Sequence, residues 1–320
     1  MKRILFIYNP KSGKGQIRSH LSYVLEELGK GEGTEIVVHP TRAVQDAARI
    51  TQEKGRQFDI IVCSGGDGTL DEVVTGMQRG GFIRRLGYIP AGSTNDFANS
   101  LGIPKNMRRA ARNVLQGVVY PCDIGRLNED YFVYVAAFGA FTEVSYKTSQ
   151  DWKNMLGHLA YILEGVKSLS ALKSWNMSFR SEECSGSGDF IYGMITNSNS
   201  VGGFKGITGK DVTLNDGIFE VTLIRMPDNF VEWPVIINAL LTGEENRFIV
   251  SFKTSRLEFF SEESVSWTRD GEYGGSHYHT VIENIPKSLP IIIPENQEEL
   301  TDEADEASEE ALDDTDNEEL

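Results

Sequence analysis

Short apolar runs alternate with segments of helical periodicity along the first 125 residues. Runs of apolar and β-branched residues predict four strands, at 4–8, 35–39, 59–63 and 86–89. Apolar positions at helical spacing predict helices between and after them, at 17–28, 44–54, 70–79, 97–101 and 107–116. This alternation predicts an α/β fold, with an open and mostly parallel sheet covered by helices on both faces.

The pattern changes after about residue 125, where strands and turns replace the alternation. Further β-rich runs lie at 131–137, 175–179, 190–197, 219–225, 256–260, 264–268 and 280–283. Two helical stretches intervene, near 151–172 and 229–242. Strands with hairpin-like turns predict an antiparallel β-sandwich as a second domain. We therefore expect domains at 1–125 and 126–294, with the last strands of the second returning to the first as an alternative.

The net charge of −16 is concentrated at the end of the chain. Residues 295–320 hold fourteen Asp or Glu and no Lys or Arg, which leaves −2 for residues 1–294. A nearly neutral body argues against a nucleic-acid partner, which would require a basic face. The acidic segment has the composition of a disordered tail.

The three cysteines, Cys63, Cys122 and Cys184, are few and widely spaced. They form no pair of the metal-binding or redox type, so we expect a cytoplasmic location. No run approaches the roughly 18 apolar residues of a membrane span. If the protein acts on lipid, it would do so from the membrane surface.

A glycine-rich turn, Gly65-Gly66-Asp67-Gly68-Thr69, follows the third predicted strand and precedes a predicted helix. Glycines allow close approach to the backbone, and the free N–H groups of a helix N-terminus favour an anion. The stretch therefore predicts a phosphate-binding turn. The alternative is an ordinary tight turn in which Asp67 or Thr69 caps the helix.

Two further polar loops follow predicted strands, Asn9–Gly13 after the first and Gly92–Asp96 after the fourth. The alternative for the first loop is a surface turn. The alternative for the second is a helix cap at Asp96. Ligands of open α/β sheets bind beyond the carboxyl ends of the strands. Because all three loops begin at such ends, we expect them to converge.

Two acidic turns of the second half offer different chemistry. Asp270-Gly271-Glu272 places two carboxylates around a glycine, which suits a general base and a supporting group. Asp216 in Asn215-Asp216-Gly217 suits a Mg²⁺ site completed by main-chain carbonyls and water. An ordinary hairpin turn is the alternative for both.

Six motifs in order carry a resemblance to a known family. They are YNPKSGKG at 8–15, SGGDGTLDEVV at 64–74, IPAGSTNDFA at 89–98, CDIGR at 122–126, LNDGIFE at 214–220 and DGEYGG at 270–275. Together they resemble the catalytic domain of diacylglycerol kinases, most closely the soluble bacterial enzymes, over about residues 1–293. The resemblance implies the two-domain fold described above, with the active site in the cleft between the domains.

The resemblance also implies site residues. ATP would be bound by Asn9, Pro10, Lys11, Ser12, Gly13, Thr41, Gly66, Asp67, Gly68, Thr69, Leu70, Asp71, Glu72 and Ser93. A Mg²⁺ ion would be held by Asp216 with the carbonyls of Thr213 and Ile218. Through water, that ion would be linked to Asp67, Asp96, Asp123 and Asp270. Glu272 would accept the proton, with Asp270 supporting it and Asp67 as a further catalytic residue.

One position departs from the family pattern. Asp71 stands where relatives usually have Asn, which places an extra carboxyl group near the expected phosphates. The contact of residue 71 with ATP is therefore less well defined by the resemblance than the contacts of its neighbours.

The function implied is ATP-dependent phosphorylation of the primary hydroxyl of diacylglycerol, in phospholipid synthesis or recycling. The alternatives are a lipid kinase that acts on sphingoid bases or other lipid alcohols, an enzyme similar to NAD kinase, and a non-catalytic binder of nucleotide or lipid. The implied partners are ATP and a lipid at the inner membrane face. Homodimers are known in the family, and the sequence neither supports nor excludes one here.

Overall fold

The computed structural model describes residues 2–31, 33–139, 173–201, 204–205, 212–242, 244 and 246–295. The helical stretch expected near 151–172 and the acidic segment from 296 onward lie outside these residues.

Strands and helices alternate through the first part of the chain, as the apolar pattern predicts. The strands are β1 Lys2–Tyr8, β2 Thr34–Pro40, β3 Ile60–Gly65 and β4 Arg85–Pro90. The helices are α1 Ile17–Gly29, α2 Asp46–Lys54, α3 Asp67–Arg79, α4 Asp96–Ser100 and α5 Met107–Gln116. Short 3-10 turns lie at Ser12–Gly15 and Gly55–Gln57.

These four strands form a parallel array in the order β2-β1-β3-β4. Every residue of β3 is buried, as expected for a strand covered on both faces. Because the strands are parallel, their carboxyl ends meet at one edge, which we call the carboxyl edge. Their amino ends meet at the opposite edge, the amino edge.

Strands dominate the remainder of the chain. In order they are β5 Val118–Leu127, β6 Asp130–Phe132, β7 Val135–Gly139, β8 Trp175–Arg180, β9 Ser185–Thr196, β10 Ser200–Val201, β11 Phe204–Lys205, β12 Phe219–Arg225, β13 Ile249–Thr254, β14 Arg256–Arg269 and β15 Glu272–Ile293. A 3-10 turn at Phe230–Glu232 leads into helix α6 Trp233–Thr242. The pairings of these strands with one another are antiparallel.

Strand β15 joins the two parts of the molecule. Its first half pairs with β14, and its second half pairs with β5 and, at Ile291 and Leu86, with β4. As a result, thirteen of the described strands belong to one connected sheet. The predicted α/β class is therefore confirmed, whereas the division at residue 125 falls inside β5 and stays a prediction.

The predicted strands 256–260 and 264–268 are in fact one strand, β14. Its pairing with β15 changes register between Phe260 and Val265, so a bulge interrupts the alternation without ending the strand. The predicted strand 280–283 is likewise part of the 22-residue β15. Exposed polar positions along the first half of β15 obscure its length in the sequence.

Two hydrophobic clusters stabilise the fold. The larger surrounds the parallel array and includes Phe6, Ile61 and Val74. The smaller lies among β7, β8, β9, β12, β14 and β15, and in it the Phe138 and Trp267 rings lie 4.9 Å apart. Within the described part of the chain, no helix combines the length and apolar character needed to cross a bilayer.

Gly125 provides a test of this packing. An added Cβ at Gly125 would lie 2.0 Å from the Phe132 ring, which is fully buried on the paired strand β6. We expect Gly125→Ala to lower the free energy of unfolding by about 1–3 kcal/mol through overpacking, measured by denaturant titration. The control is Gly29→Ala, where no atom lies within 4 Å of the added Cβ. Equal stabilities of the two variants would contradict this packing.

Candidate active site

The loop after β1 is a tight turn fixed by Asn9. The Asn9 side chain accepts a hydrogen bond from the Lys11 N–H at 2.9 Å, and its carbonyl accepts one from the Ser12 N–H at 3.2 Å. Gly13 has φ +50, and a Cβ there would lie 2.0 Å from the Ala91 carbonyl oxygen. This loop therefore packs directly against the loop that follows β4. Pro10 has no N–H and can only shape the turn.

Helix α3 begins at Asp67, three residues earlier than the sequence predicts. The Gly66 carbonyl accepts hydrogen bonds from the N–H groups of Thr69 and Leu70, at 3.0 and 3.2 Å. The glycine-rich motif therefore forms the first turn of a 13-residue helix, and the N–H groups of Asp67 and Gly68, which open it, have no partner within the helix. Leu70 is fully buried, so its side chain belongs to the core.

The loop after β4 completes the cluster of loops at the carboxyl edge. The Asn95 side chain bridges both backbone groups of Gly92, accepting from its N–H and donating to its carbonyl at 2.9 Å each. A Cβ at Gly92 would lie 2.6 Å from the Gly66 Cα, so the second and third loops are also in contact. Ser93 is exposed at the tip. The expected convergence of the three loops is present.

Thr41 and Glu72 occupy the side of this cluster near β2. The Thr41 N–H donates to the Tyr8 carbonyl at 2.9 Å, which places Thr41 beside the end of β1. The two Glu72 carboxylate oxygens accept from the backbone N–H groups of Gln45 and Ala47, at 2.7 and 3.0 Å. Glu72 thus caps helix α2 from a neighbouring helix. Its contact with ATP stays a prediction.

The half-buried Asp67 and the buried Asp96 form an acidic pair. The Asp96 N–H donates to Oδ2 of Asp67 at 3.1 Å, while Oδ1 of Asp67 is buried and receives no hydrogen bond from a described residue. Burial, followed by the nearby charge of Asp96, raises the pKa of Asp67 to about 7. An unpaired, desolvated carboxylate oxygen of this kind suits a cation or a cation-bound water.

Asp270 holds the turn between β14 and β15. Its carboxylate accepts three backbone hydrogen bonds, from Val133 at 2.5 Å, Tyr134 at 3.0 Å and Val135 at 2.9 Å. Its own N–H donates to the Val135 carbonyl at 2.9 Å. Asp270 has φ 47, a left-handed conformation uncommon outside glycine, and these hydrogen bonds stabilise it.

Glu272 follows immediately, as the exposed first residue of β15. An ideal Cβ at Gly68 would lie 3.5 Å from Oε1 of Glu272. The absence of a side chain at Gly68 therefore gives Glu272 room beside the first turn of α3. Two motifs separated by about two hundred residues meet at this point.

Asp71 is buried close to Asp270 and Glu272. Burial, followed by the charge of Asp270, raises the pKa of Asp71 well above its usual range. Three N–H donors stabilise the charge of Asp270, whereas Oδ1 of Asp71 receives no hydrogen bond from the described residues. Burial and the charge of Asp270 therefore favour the neutral form of Asp71. A neutral acid adds no negative charge at this position.

Asp123 and Asp216 lie together at a second turn. The fully buried Asp123 accepts hydrogen bonds from the N–H groups of Gly217 and Lys287, at 2.7 and 2.6 Å. Burial raises the pKa of Asp123. Asp216 is exposed and accepts from the Ile218 N–H at 3.2 Å. Thr213 lies exposed beside this turn. The described residues contain no cluster of three metal-ligating side chains, so a cation here requires carbonyl and water ligands.

Asn197 links Asp123 to the turn that holds Asp270. The motifs of the sequence do not include it. It is fully buried, and its amide donates to the Asp123 carbonyl at 3.0 Å. Its backbone N–H donates to the carbonyl of Tyr134, whose own N–H is bonded to Asp270. The only signal in the sequence is a polar run, Thr196–Ser200, directly after an apolar strand.

An open parallel sheet with three glycine-rich loops at its carboxyl edge is typical of α/β proteins that bind phosphorylated ligands. The family model for the diacylglycerol kinase catalytic domain matches residues 3–127. A Bacillus subtilis diacylglycerol kinase is 35% identical over 94% of this chain and 100% of its own length. A Staphylococcus aureus diacylglycerol kinase is 30% identical over 92% and 93%, respectively. The chain belongs to the diacylglycerol kinase family.

Solved structures agree on the fold. A Bacillus anthracis diacylglycerol kinase structure superposes with a TM-score of 0.72 at 21% identity, covering 92% of this chain and 97% of its own. A further Bacillus anthracis structure reaches a TM-score of 0.78 at the same identity, over 92% and 98%. The resemblance drawn from the motifs is therefore confirmed at the level of family and fold. The roles of individual residues stay predictions.

The raised pKa of Asp67 gives a testable dependence of stability on pH. The carboxyl group titrates near 4 when unfolded and near 7 when folded, so the folded state binds the extra proton between these values. The stability that the raised pKa of Asp67 contributes is complete below pH 4 and is lost as the pH rises through 7. In chelator-treated protein, we expect Asp67→Asn to be more stable than the parent at pH 8 and similar at pH 4, measured by thermal unfolding.

Asp46 supplies a control of opposite sign. Burial by itself would raise the pKa of Asp46. Hydrogen bonds from the Arg42 N–H and the Arg49 side chain outweigh burial and lower this pKa. Asp46→Asn should therefore lose stability relative to the parent at pH 7 and lose less at acid pH. A stability difference for Asp67→Asn that is the same at every pH would contradict the buried, desolvated state of Asp67.

Proposed function

We propose that this chain is an ATP-dependent lipid kinase that phosphorylates the primary hydroxyl of diacylglycerol to give phosphatidic acid. The observation that supports this most is the position of Glu272 beside Gly68, because it brings a proton acceptor to a turn suited to phosphate. Family membership supports the reaction class, since the Bacillus subtilis and Staphylococcus aureus relatives are named as diacylglycerol kinases.

In this proposal, ATP lies along the carboxyl edge. The N–H groups that open α3, at Asp67 and Gly68, face its phosphates and stabilise their charge. The Asn9–Gly13 turn and Ser93 approach the nucleotide from the two neighbouring loops. Thr41 bounds the site on the β2 side, and Glu72 supports it by capping α2.

The residues present fit a magnesium ion, which the family implies. Asp67 has a buried oxygen without a hydrogen-bond donor, and Asp96, Asp123 and Asp270 add carboxylates. Asp216, with the carbonyls of Thr213 and Ile218, would hold the ion, and the buried carboxylates would reach it through water. When bound, Mg²⁺ offsets the negative charge that phosphoryl transfer redistributes.

The protein's part in the reaction is to position groups and accept a proton. The lipid hydroxyl oxygen attacks the γ-phosphorus, an O–P bond forms, and the bond to the β,γ-bridging oxygen breaks as ADP leaves. Glu272 accepts the hydroxyl proton. Asp270 acts indirectly, since its three backbone hydrogen bonds fix the turn that presents Glu272.

The proposal extends to location and partners. The acceptor lipid lies in a bilayer, so the enzyme would work from the cytoplasm as a peripheral protein at the inner membrane face. A homodimer is proposed from the resemblance alone. A nearly neutral body gives no support to a nucleic-acid partner.

An acceptor assay tests the function. The protein would be incubated with Mg²⁺ and labelled ATP in the presence of diacylglycerol micelles, sphingoid bases or NAD. We expect label in phosphatidic acid, because Glu272 and the DGE turn have no assigned role in an NAD kinase reaction. Label in a sphingoid phosphate or NADP would contradict the substrate, and no label in any acceptor would contradict the enzyme.

Replacement of the proposed base tests the mechanism. We expect Glu272→Gln to lower kcat by about 10²–10⁴-fold, because the amide cannot accept the proton. Since Glu272 is exposed, the Tm and the Kd for ATP should remain those of the parent. Near-normal turnover in the folded variant would contradict this role.

The matched control is Glu262→Gln, the same change at an exposed position of β14 remote from the DGE turn. This variant should retain the parent's kcat. A comparable loss in both variants would attribute the effect to surface charge and contradict a specific role for Glu272.

A further inference from the structure

A basic groove of about 390 Å³ lies at the amino edge of the parallel sheet. Four cationic side chains line it, and we use "basic groove" for this set: Lys2, Arg56, Arg84 and Arg85. Lys2 begins β1 and Arg85 begins β4. The groove therefore lies at the end of the strands opposite the nucleotide loops.

Two of the four positive charges of the groove, at Arg56 and Arg84, are held in place by carbonyl groups. Arg84 donates to the Phe58 and Arg56 carbonyls at 2.7 and 2.8 Å. Arg56 donates to the carbonyls of Gly80 and Gly81, at 3.0 and 3.2 Å. Both guanidinium groups also stack on the Phe82 ring. Carbonyls orient these groups without neutralising them.

Within the described ranges, none of the four cations of the basic groove pairs with a carboxylate. Asp59 also lines the groove, and one of its oxygens accepts the Arg3 N–H at 2.8 Å. Arg3 itself pairs with Glu35. The groove therefore keeps an excess of about three positive charges (four cations against Asp59) on a body that is otherwise nearly neutral.

The charge that complements this groove is in the same chain. Residues 296–320 contain thirteen Asp or Glu and no Lys or Arg. The segment starts within reach of the groove, because Ile291, four residues before Glu295, pairs with Leu86, the neighbour of Arg85. Glu295 lies four residues after Ile291, at most about 13 Å along the chain. A flexible chain of 25 residues has a root-mean-square span of roughly 25–30 Å, which is sufficient to turn back to the groove.

A membrane is the other anionic surface that a basic groove could contact. The acceptor lipid must reach Glu272 and the loops of the carboxyl edge, so the face turned to the bilayer includes that edge. The basic groove lies at the opposite edge and would point away. The position of the groove therefore favours the acidic segment over anionic lipid.

We propose that the acidic segment 296–320 docks in the basic groove of its own chain through charge complementarity. Docking holds thirteen negative charges at the amino edge, remote from the phosphate-binding loops. Close to those loops, the same charges would repel ATP. The groove and the acidic segment are features of the fold and the charges, whereas the preference for the segment over a membrane rests on the proposed lipid kinase function.

Zero-length carbodiimide cross-linking of the full-length protein tests this, because it joins a lysine amine to a carboxylate in contact. Lys2 lies in the groove, and Lys11 lies beyond the other end of the same strand as an internal reference. We expect peptides of 296–320 joined to Lys2 several-fold more often than to Lys11. An Arg85→Lys variant should add a cross-link at position 85. The yield of cross-links between 296–320 and Lys2 should fall as NaCl is raised to 1 M, where the Debye length shortens to about 3 Å.

Charge reversal provides the matched comparison. Arg85→Glu should reduce the Lys2 cross-links, whereas Arg18→Glu, the same change at an exposed position of α1, should not. Equal labelling of Lys2 and Lys11, or insensitivity to Arg85→Glu, would overturn the proposal.

Two further readouts distinguish other partners of the groove. In a mixture of isotopically heavy and light protein, cross-links should remain within one chain, and heavy-to-light products would overturn docking in cis. Sedimentation with phosphatidylglycerol vesicles should be equal for the parent and Arg85→Glu. A loss of vesicle binding in Arg85→Glu, with tail cross-links unchanged, would instead assign the groove to a membrane.

Discussion

Three backbone hydrogen bonds to the Asp270 carboxylate are the interaction on which the site depends. They come from consecutive residues, 133–135, and they hold Asp270 in a left-handed conformation between two long strands. The next exposed side chain, Glu272, thereby lies beside Gly68 in the first turn of α3. Without that constraint, the acidic turn would be an ordinary hairpin connection with no fixed relation to the nucleotide loops.

The same region concentrates negative charge away from water. Asp67, Asp71 and Asp270 lie within electrostatic reach of one another, and burial raises the pKa of Asp67 and Asp71. Such an arrangement costs stability in the absence of a cation or a bound proton. At Asp71, the raised pKa favours the neutral form, which lowers this cost. Asp67 keeps a buried oxygen that receives no hydrogen bond from the described residues.

The sequence predicted the parts of the structure that depend on local periodicity. The apolar runs at 4–8 and 59–63 located β1 and β3, and the rule for parallel strands placed three loops at one edge. The start of α3 was placed too late, because the glycines of the motif hide the first helical turn. The polar residues Ser261–Glu263 similarly hid the continuity of β14.

The unpredicted features involve contacts between distant segments. No local signal shows that Glu72 caps α2 or that Asn197 links Asp123 to the Asp270 turn. The pairing of Ile291 with Leu86, which joins the second half of β15 to the parallel sheet, has no local signal either, although the return of the last strands to the first domain is the alternative stated from the sequence. The six ordered motifs identified the family, yet their roles as one site depend on these long-range contacts.

The central claim is that Asp67 and Glu272 act as one site although about two hundred residues separate them. A double-mutant cycle on kcat/KM for lipid phosphorylation, with Asp67→Asn and Glu272→Gln, measures this directly. Residues that act as a unit give strongly non-additive losses, so the double variant should be about as slow as the slower single variant. Losses that multiply, as for independent positions, would contradict a single site assembled from the two motifs.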